Sequence, residues 1–264
     1  MVLDMDIFVI KGIKAQRANV QQTNYLVSPV PVFAAVMLGH AIADRLGKRD
    51  LGVGIIHHSC ELHIEHIPNT SGWIESYPCQ FRGATGDIAS GGSGPTQNSI
   101  QPSVTGDLNV SLILGIESGA STADVRKVIE TMNLRLAGGK VVRQPTVLEA
   151  EDLWDAIKQC GRGYWVSDAT PVVRDRLAKG MSIAEAVLGH VPGGWYVPAT
   201  LGYRTLTRFE QRSGARDGLD HAYGEPVVGL VCYQSVFSLR NQGQRPTLWS
   251  HGWVTDSLFV VRQS

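Results

Sequence analysis

The sequence predicts an α+β fold built in the order β-α-β-β-α-β. Three stretches carry that reading. Asp107–Leu114 alternates strictly, with Leu108, Val110, Leu112 and Leu114 against Asn109 and Ser111, which is the period of a half-buried strand. Val32–Leu46 is apolar, is entered through Pro31 and is followed by Gly47, which marks a buried helix with its start and stop signals. Ser121 and Asp124 have the spacing of a capping box and open an amphipathic helix that runs to about Leu134.

The other elements fall between these. Ile7–Lys14 is short, apolar and β-branched, and is expected to be the first strand. Ala15–Pro31 is polar and is expected to be a long loop, of the kind that usually carries function. Leu51–Glu65 is a second strand, and Trp73–Phe81 another. Arg82–Thr105 is rich in Gly, Ser and Pro and is expected to be a loop or a protruding hairpin. At Asn133–Val142 the helix passes into a strand, Lys140–Val147, and Gly138-Gly139 at the change of element reads as a helix C-cap. This order is that of a ferredoxin-like split βαβ unit. Residues 1–147 would form that domain and 148–264 a mixed α/β extension packed on it. Within the extension, Glu149–Cys160, Pro171–Lys179 and Ser182–Leu188 read as helices. Gly163–Ser167, Val227–Val231 and Ser257–Val261 read as strands.

The chain has 264 residues, equal numbers of basic and acidic side chains, and 43% hydrophobic residues. That content supplies an ample core. Four cysteines stand far apart without a Cys-x-x-Cys pair, so neither a disulfide scaffold nor a zinc knuckle is expected. No apolar run approaches the roughly 18 residues a membrane helix needs, and Asp4 and Asp6 stand where a signal peptide would be basic. A cytoplasmic protein without a membrane partner is therefore expected. Neutral net charge argues against indiscriminate nucleic-acid binding but not against a local basic surface. Arg204, Arg208, Arg212 and Arg216 are answered locally only by Glu210.

No phosphate loop, nucleophile elbow, dinucleotide fingerprint or catalytic triad is present. The strand at 51–65 is rich in possible ligands. Alternation puts His57 and His63 on one side, and His58, Cys60 and His66 on the other. His58, Cys60 and His66 define a zinc-module alternative, although their spacing is not that of a zinc site. His40 lies on an apolar helix and reads as a core histidine. Tyr164, Trp165, Trp195, Tyr196, Tyr203, Trp249 and Trp253 are candidates for stacking on bases.

Several segments in order resemble one family. They are Gln16-x-Ala18-Asn19, Ser28-Pro29, His40-Ala41, Gly52-Val53-Gly54-Ile55 with His58, and Asn109–Gly115. Arg135–Gly139 and Gly194-Trp195-x-Val197-Pro198 with Gly202-Tyr203 complete the set. Together they resemble the Cas-five-type RAMP (Csy-two-like) subunits of type I-F CRISPR effector complexes, over residues 7–142 and 193–210. The resemblance implies a ferredoxin-like, RRM-like RAMP domain whose inserted hairpin, here about 82–106, acts as a thumb. It implies a non-catalytic subunit that holds the 5′ handle of the CRISPR RNA. The expected neighbours are a Cas-seven-type backbone subunit and the large subunit, with target DNA met through the complex. Neither a nuclease site, a cofactor nor a metal is expected. Gln16, Arg17 and Asn19 are the expected base or phosphate contacts, Gly138 and Gly139 would admit the RNA backbone, and Arg135, Lys140, Arg204 and Arg208 would serve phosphates. A crRNA-processing endoribonuclease, with His40 or His58 as general base, is the alternative from the same superfamily.

Overall fold

The structure, a computed structural model, describes residues 4–23, 25–68, 72, 74–78, 104–214, 218–241, 243 and 245–263. The first half runs β1 (Met5–Asn19), β2 (Gln21–Thr23), β3 (Leu26–Val27), α1 (Val32–Arg45), β4 (Asp50–Leu62), β5 (Ile64–Pro68), β6 (Ile74–Pro78), β7 (Thr105–Glu117), α2 (Thr122–Thr131), β8 (Arg135–Leu136), β9 (Gly139–Val141) and β10 (Thr146–Ala150). The second half runs α3 (Leu153–Cys160), β11 (Tyr164–Asp168), α4 (Thr170–Ala178), α5 (Ile183–Leu188), β12 (Trp195–Thr205), β13 (Gly224–Ser235), α6 (Val236–Asn241), β14 (Trp249–Thr255) and β15 (Leu258–Gln263).

These strands do not build a small ferredoxin-like βαββαβ domain, and that expectation is corrected. Eleven of them form one sheet in the order β11-β13-β12-β15-β14-β4-β7-β1-β9-β8, with β10 also on β1, while β2 pairs with β3 and β5 with β6 in separate two-stranded sheets. The reason lies in β4. One edge pairs antiparallel with β7 along most of its length. The other edge, which would border a small unit, is taken at Val53 by Trp249 of β14 and at Ile56–His57 by Trp165–Tyr164 of β11. Val53, Ile55 and Ile56 there are fully buried. A bare apolar edge invites further strands, and the second half of the chain supplies them. Because β11 returns to β4, the strands β4, β14, β15, β12, β13 and β11 close a ring in which every pairing is antiparallel.

The middle of the sheet is buried on both faces. Phe8, Ile10 and Ile13 of β1 join Leu112 and Leu114 of β7, α1 and α2 in the larger core. Ile7 and Val9 face the other way, with Ile113, Ile56, Trp165 and Ile157 of α3. Each of these large side chains contributes about 1.5–3 kcal/mol when fully buried. The capping box of α2 forms as read: Ser121 accepts from the Asp124 amide, and the Asp124 carboxylate accepts from the Ser121 amide. The helix itself stops at Thr131, short of the glycine pair. The expected loop at 15–31 is also shorter, since β1 continues to Asn19. The expected thumb lies largely outside the described residues, as do Cys79 and Arg216.

Candidate nucleic-acid interface

The residues singled out at 16–19 and at 135–140 come from distant stretches and meet on one end of the sheet. Gln16 pairs with Lys140, and Ala15 with Val141, across β1 and β9. The Asn19 amide donates to the Ala137 carbonyl at 2.9 Å. The same end holds the start of β7 at Thr105, opposite Asn19, and the last residues of β4.

Local backbone geometry explains how the side chains are displayed. The register between β1 and β7 shifts between Ala15 and Ala18, and Arg17 in that bulge has φ 52°. A left-handed arginine is uncommon. Here it is held by its own amide, which donates to Asp107 Oδ1 at 3.0 Å. Asp107 Oδ1 also lies 3.2 Å from His63 Nε2. Asn19 is held in turn, its side-chain oxygen accepting from the Gln21 amide.

The glycine pair is not a helix C-cap. Arg135–Leu136 and Gly139–Lys140 pair as a hairpin, and the two loop residues, Ala137 and Gly138, have φ of 49° and 78°. Two positive-φ residues joining tight strands is the geometry that matches strand twist. The two glycines do different work. Around Gly138 a Cβ would meet nothing, and the residue is exposed. Gly139 is buried, and a Cβ there would stand 2.7 Å from the Ala18 backbone. Its smallness lets β9 lie against β1 and leaves no space for a ligand. Arg135 is exposed and donates to the Gly138 carbonyl at 3.2 Å.

Lys14, Arg17, Arg135, Lys140 and Arg143 are therefore exposed along two neighbouring strands and their hairpin, with Gln16 and Asn19 exposed between them. Such a strip can meet several phosphates at once, with amides in reach of base edges. Arg204 and Arg208 lie elsewhere. Arg204 is exposed on β12, opposite Leu258 of β15, and Arg208 follows that strand. Nearby Arg212 is absorbed by an ion pair with Glu210 and by the face of Tyr223, 4.7 Å from its guanidinium carbon.

Of the aromatic candidates, Trp165 and Trp249 are core residues. Tyr164, Trp195, Tyr203 and Trp253 are exposed. Trp195 stacks on Tyr233, while Trp253 meets Phe209 and Phe259 edge to face.

The zinc alternative is not assembled as the alternation implied. The register between β4 and β7 shifts between His57 and Ser59, so the alternation breaks there. His58 points to the face of Ser111 and hydrogen-bonds Ser111 Oγ and the Arg162 carbonyl, each at 2.7 Å. Cys60 packs instead against the larger core, and burial pushes its thiol up to about 11. Among the described residues, one group of ligand atoms does converge: His40, Asp50 and His251. Sequence reading missed it because the three lie on α1, β4 and β14, and nothing in their spacing connects them.

No protein-family model matches this sequence, and no curated protein matches it.

Proposed function

We propose that this chain is a non-catalytic RNA-binding subunit of a type I-F CRISPR RNA-guided surveillance complex. In this reading it holds the 5′ handle of the guide RNA along the β1–β9 strip. The observation that supports it is the meeting of residues 16–19 with residues 135–140 at one end of the sheet, with exposed cations on both. Arg17 and Lys140 serve phosphates, Gln16 and Asn19 read base edges, and Gly138 gives the backbone a close approach. A Cas-seven-type backbone subunit and the large subunit flank it, and target DNA is met through the assembled complex. The ring strands, with exposed Tyr203, Trp253 and Arg204, offer a separate surface for one of these neighbours.

The endoribonuclease alternative would need His40 or His58 as its general base. His58 has both ring nitrogens engaged, and His40 Nδ1 is turned toward Asp50.

The test is co-expression with partner subunits and a CRISPR RNA. The native complex should carry one copy of this chain per guide. Arg17→Gln with Lys140→Gln removes two charges and should weaken binding of handle RNA. It should also reduce the slope of log affinity against log salt by roughly 1.4, since each phosphate contact on a single strand contributes about 0.7. RNA affinity and salt slope both unchanged in the double variant would reject the strip as the interface.

A further inference from the structure

We propose that His40, Asp50 and His251 form a binding site for a divalent transition-metal ion, with zinc as the natural fit. The donors are His40 Nδ1, Asp50 Oδ2 and His251 Nε2, all within 4.8 Å of one another. Two imidazoles and one carboxylate are a donor set suited to zinc and its late first-row neighbours.

Geometry supports the assignment in three ways. First, the carboxylate oxygen lies 3.4 Å from His40 Nδ1 and 3.1 Å from His251 Nε2. Ligands about 2.05 Å from a tetrahedral zinc are separated by about 3.3 Å, so the carboxylate oxygen already stands near coordination spacing from each imidazole, and the two imidazole nitrogens lie within 4.8 Å of each other. Second, His40 Nδ1 is shut off from solvent and has no hydrogen-bond partner, although it faces an acceptor. A buried ring nitrogen without a partner is a cost that native structures rarely leave unanswered, and a metal ion satisfies it. Third, the Asp50 side chain is only 7% exposed, and among the described residues its ion-pair partners are these two imidazoles. A cation between the three groups supplies the charge that a nearly buried carboxylate needs.

The surroundings hold the ligands in place. The Gly52 amide donates to the other oxygen of Asp50 at 2.8 Å, which fixes the plane of the carboxylate. Phe259 lies beside His251, with ring centroids 5.8 Å apart. The His40 and His251 rings meet edge to face at 4.2 Å. An outer hydrogen bond such as that of the Gly52 amide orients a metal ligand and tunes its affinity. The His40 side chain is 39% exposed although its Nδ1 is not, so the ring stands at the edge of the site with its donor nitrogen turned inward. The ion would tie α1 and β4 to β14, a strand some 200 residues further along the chain, and so pin the ring of strands to the rest of the sheet.

The test uses the full chain stripped with a chelator and titrated with cobalt(II) chloride, then with zinc chloride. Cobalt should bind at one per chain and give the visible d–d absorption of a four-coordinate ion, and zinc should displace it. Zinc should also raise the thermal midpoint of the wild-type chain. His251→Gln and His40→Gln, which keep polar side chains and spare the buried carboxylate, should each weaken cobalt binding at least about 100-fold, beyond the loss that outer-shell changes cause. His190→Gln, at an exposed histidine outside the cluster, should bind as wild type. Absence of stoichiometric cobalt binding, or binding undiminished in both His251→Gln and His40→Gln, would overturn the proposal and leave an imidazole–carboxylate pair only.

Discussion

His57 is buried, with Tyr233 and Trp195 edge-on at 5.4 and 6.3 Å and its Nδ1 without a hydrogen bond. Burial, helped by the neighbouring His58, lowers its pKa from 6.5 to about 4. In the unfolded chain the same imidazole takes up its proton near 6.5. As pH falls from about 6.5 to 4, the unfolded state therefore binds protons that the folded state does not, and stability is lost across that window. Above it, the imidazole is neutral in both states and makes no such demand. The size of the effect is up to about 3 kcal/mol at roughly 1.4 kcal/mol per pH unit. Urea midpoints at pH 7.5 and 4.5 should differ clearly in the wild-type chain, and His57→Phe should remove much of that difference. An equal pH dependence in the variant would place the acid-sensitive group elsewhere. The two glycines of the hairpin make a second contrast at this scale. Gly139→Ala drives a methyl group into the Ala18 backbone and should destabilise by about 1–3 kcal/mol. Gly138→Ala meets open space and should cost only the left-handed conformation, about 1 kcal/mol. Thermal midpoints of the two variants give the comparison directly.

Individual elements differ in how plainly their residues announce them. Helix α2 was legible because its start signal is chemical and local: Ser121 and Asp124 satisfy each other's amides whatever the rest of the chain does. Strand β7 was legible because one face of it is apolar throughout and the other is polar at Asn109 and Ser111. The β8–β9 hairpin was not. Its loop uses Ala137 and Gly138, and alanine is not one of the residues that flag a positive φ. An amphipathic helix followed by two glycines more often ends in a C-cap. The histidine-rich strand was misread for a related reason. A single register shift after His57 exchanges the faces of every later residue, and bulges carry no reliable sequence mark here. The candidate strip itself was partly legible. Arg17, Arg135 and Lys140 and the amides Gln16 and Asn19 were identified as residues and Lys14 and Arg143 were not, and the meeting of all of them depends on β9 pairing with β1, which only the fold supplies.

Across the whole molecule, the difference between expectation and structure comes from one strand edge. The second half of the sequence contains short apolar runs, Val227–Val231 and Ser257–Val261 among them, whose partners cannot be deduced from pattern. They join the sheet through β11 and through Trp249, which is fully buried, sits opposite Val53, and donates from Nε1 to the Val166 carbonyl at 2.9 Å. This one residue thus links β4 through its backbone and β11 through its side chain to β14. Trp249→Ala should cost about 3–5 kcal/mol. Far-ultraviolet circular dichroism and intrinsic fluorescence should still unfold together, because both halves share a sheet; two separated transitions would mean that the ring melts independently. The seam at β4 also bears on how the chain reaches this state. Val53 meets Trp249 across 196 intervening steps of sequence, and His57 meets Tyr164 across 107. Pairings this distant require long stretches of chain to be gathered before any contact rewards them, which slows acquisition of the native state relative to helical proteins of similar size. Until that seam closes, β4 presents an apolar border on which another copy could add. Crowding several nascent copies together would therefore endanger this protein more than heat applied after it has matured.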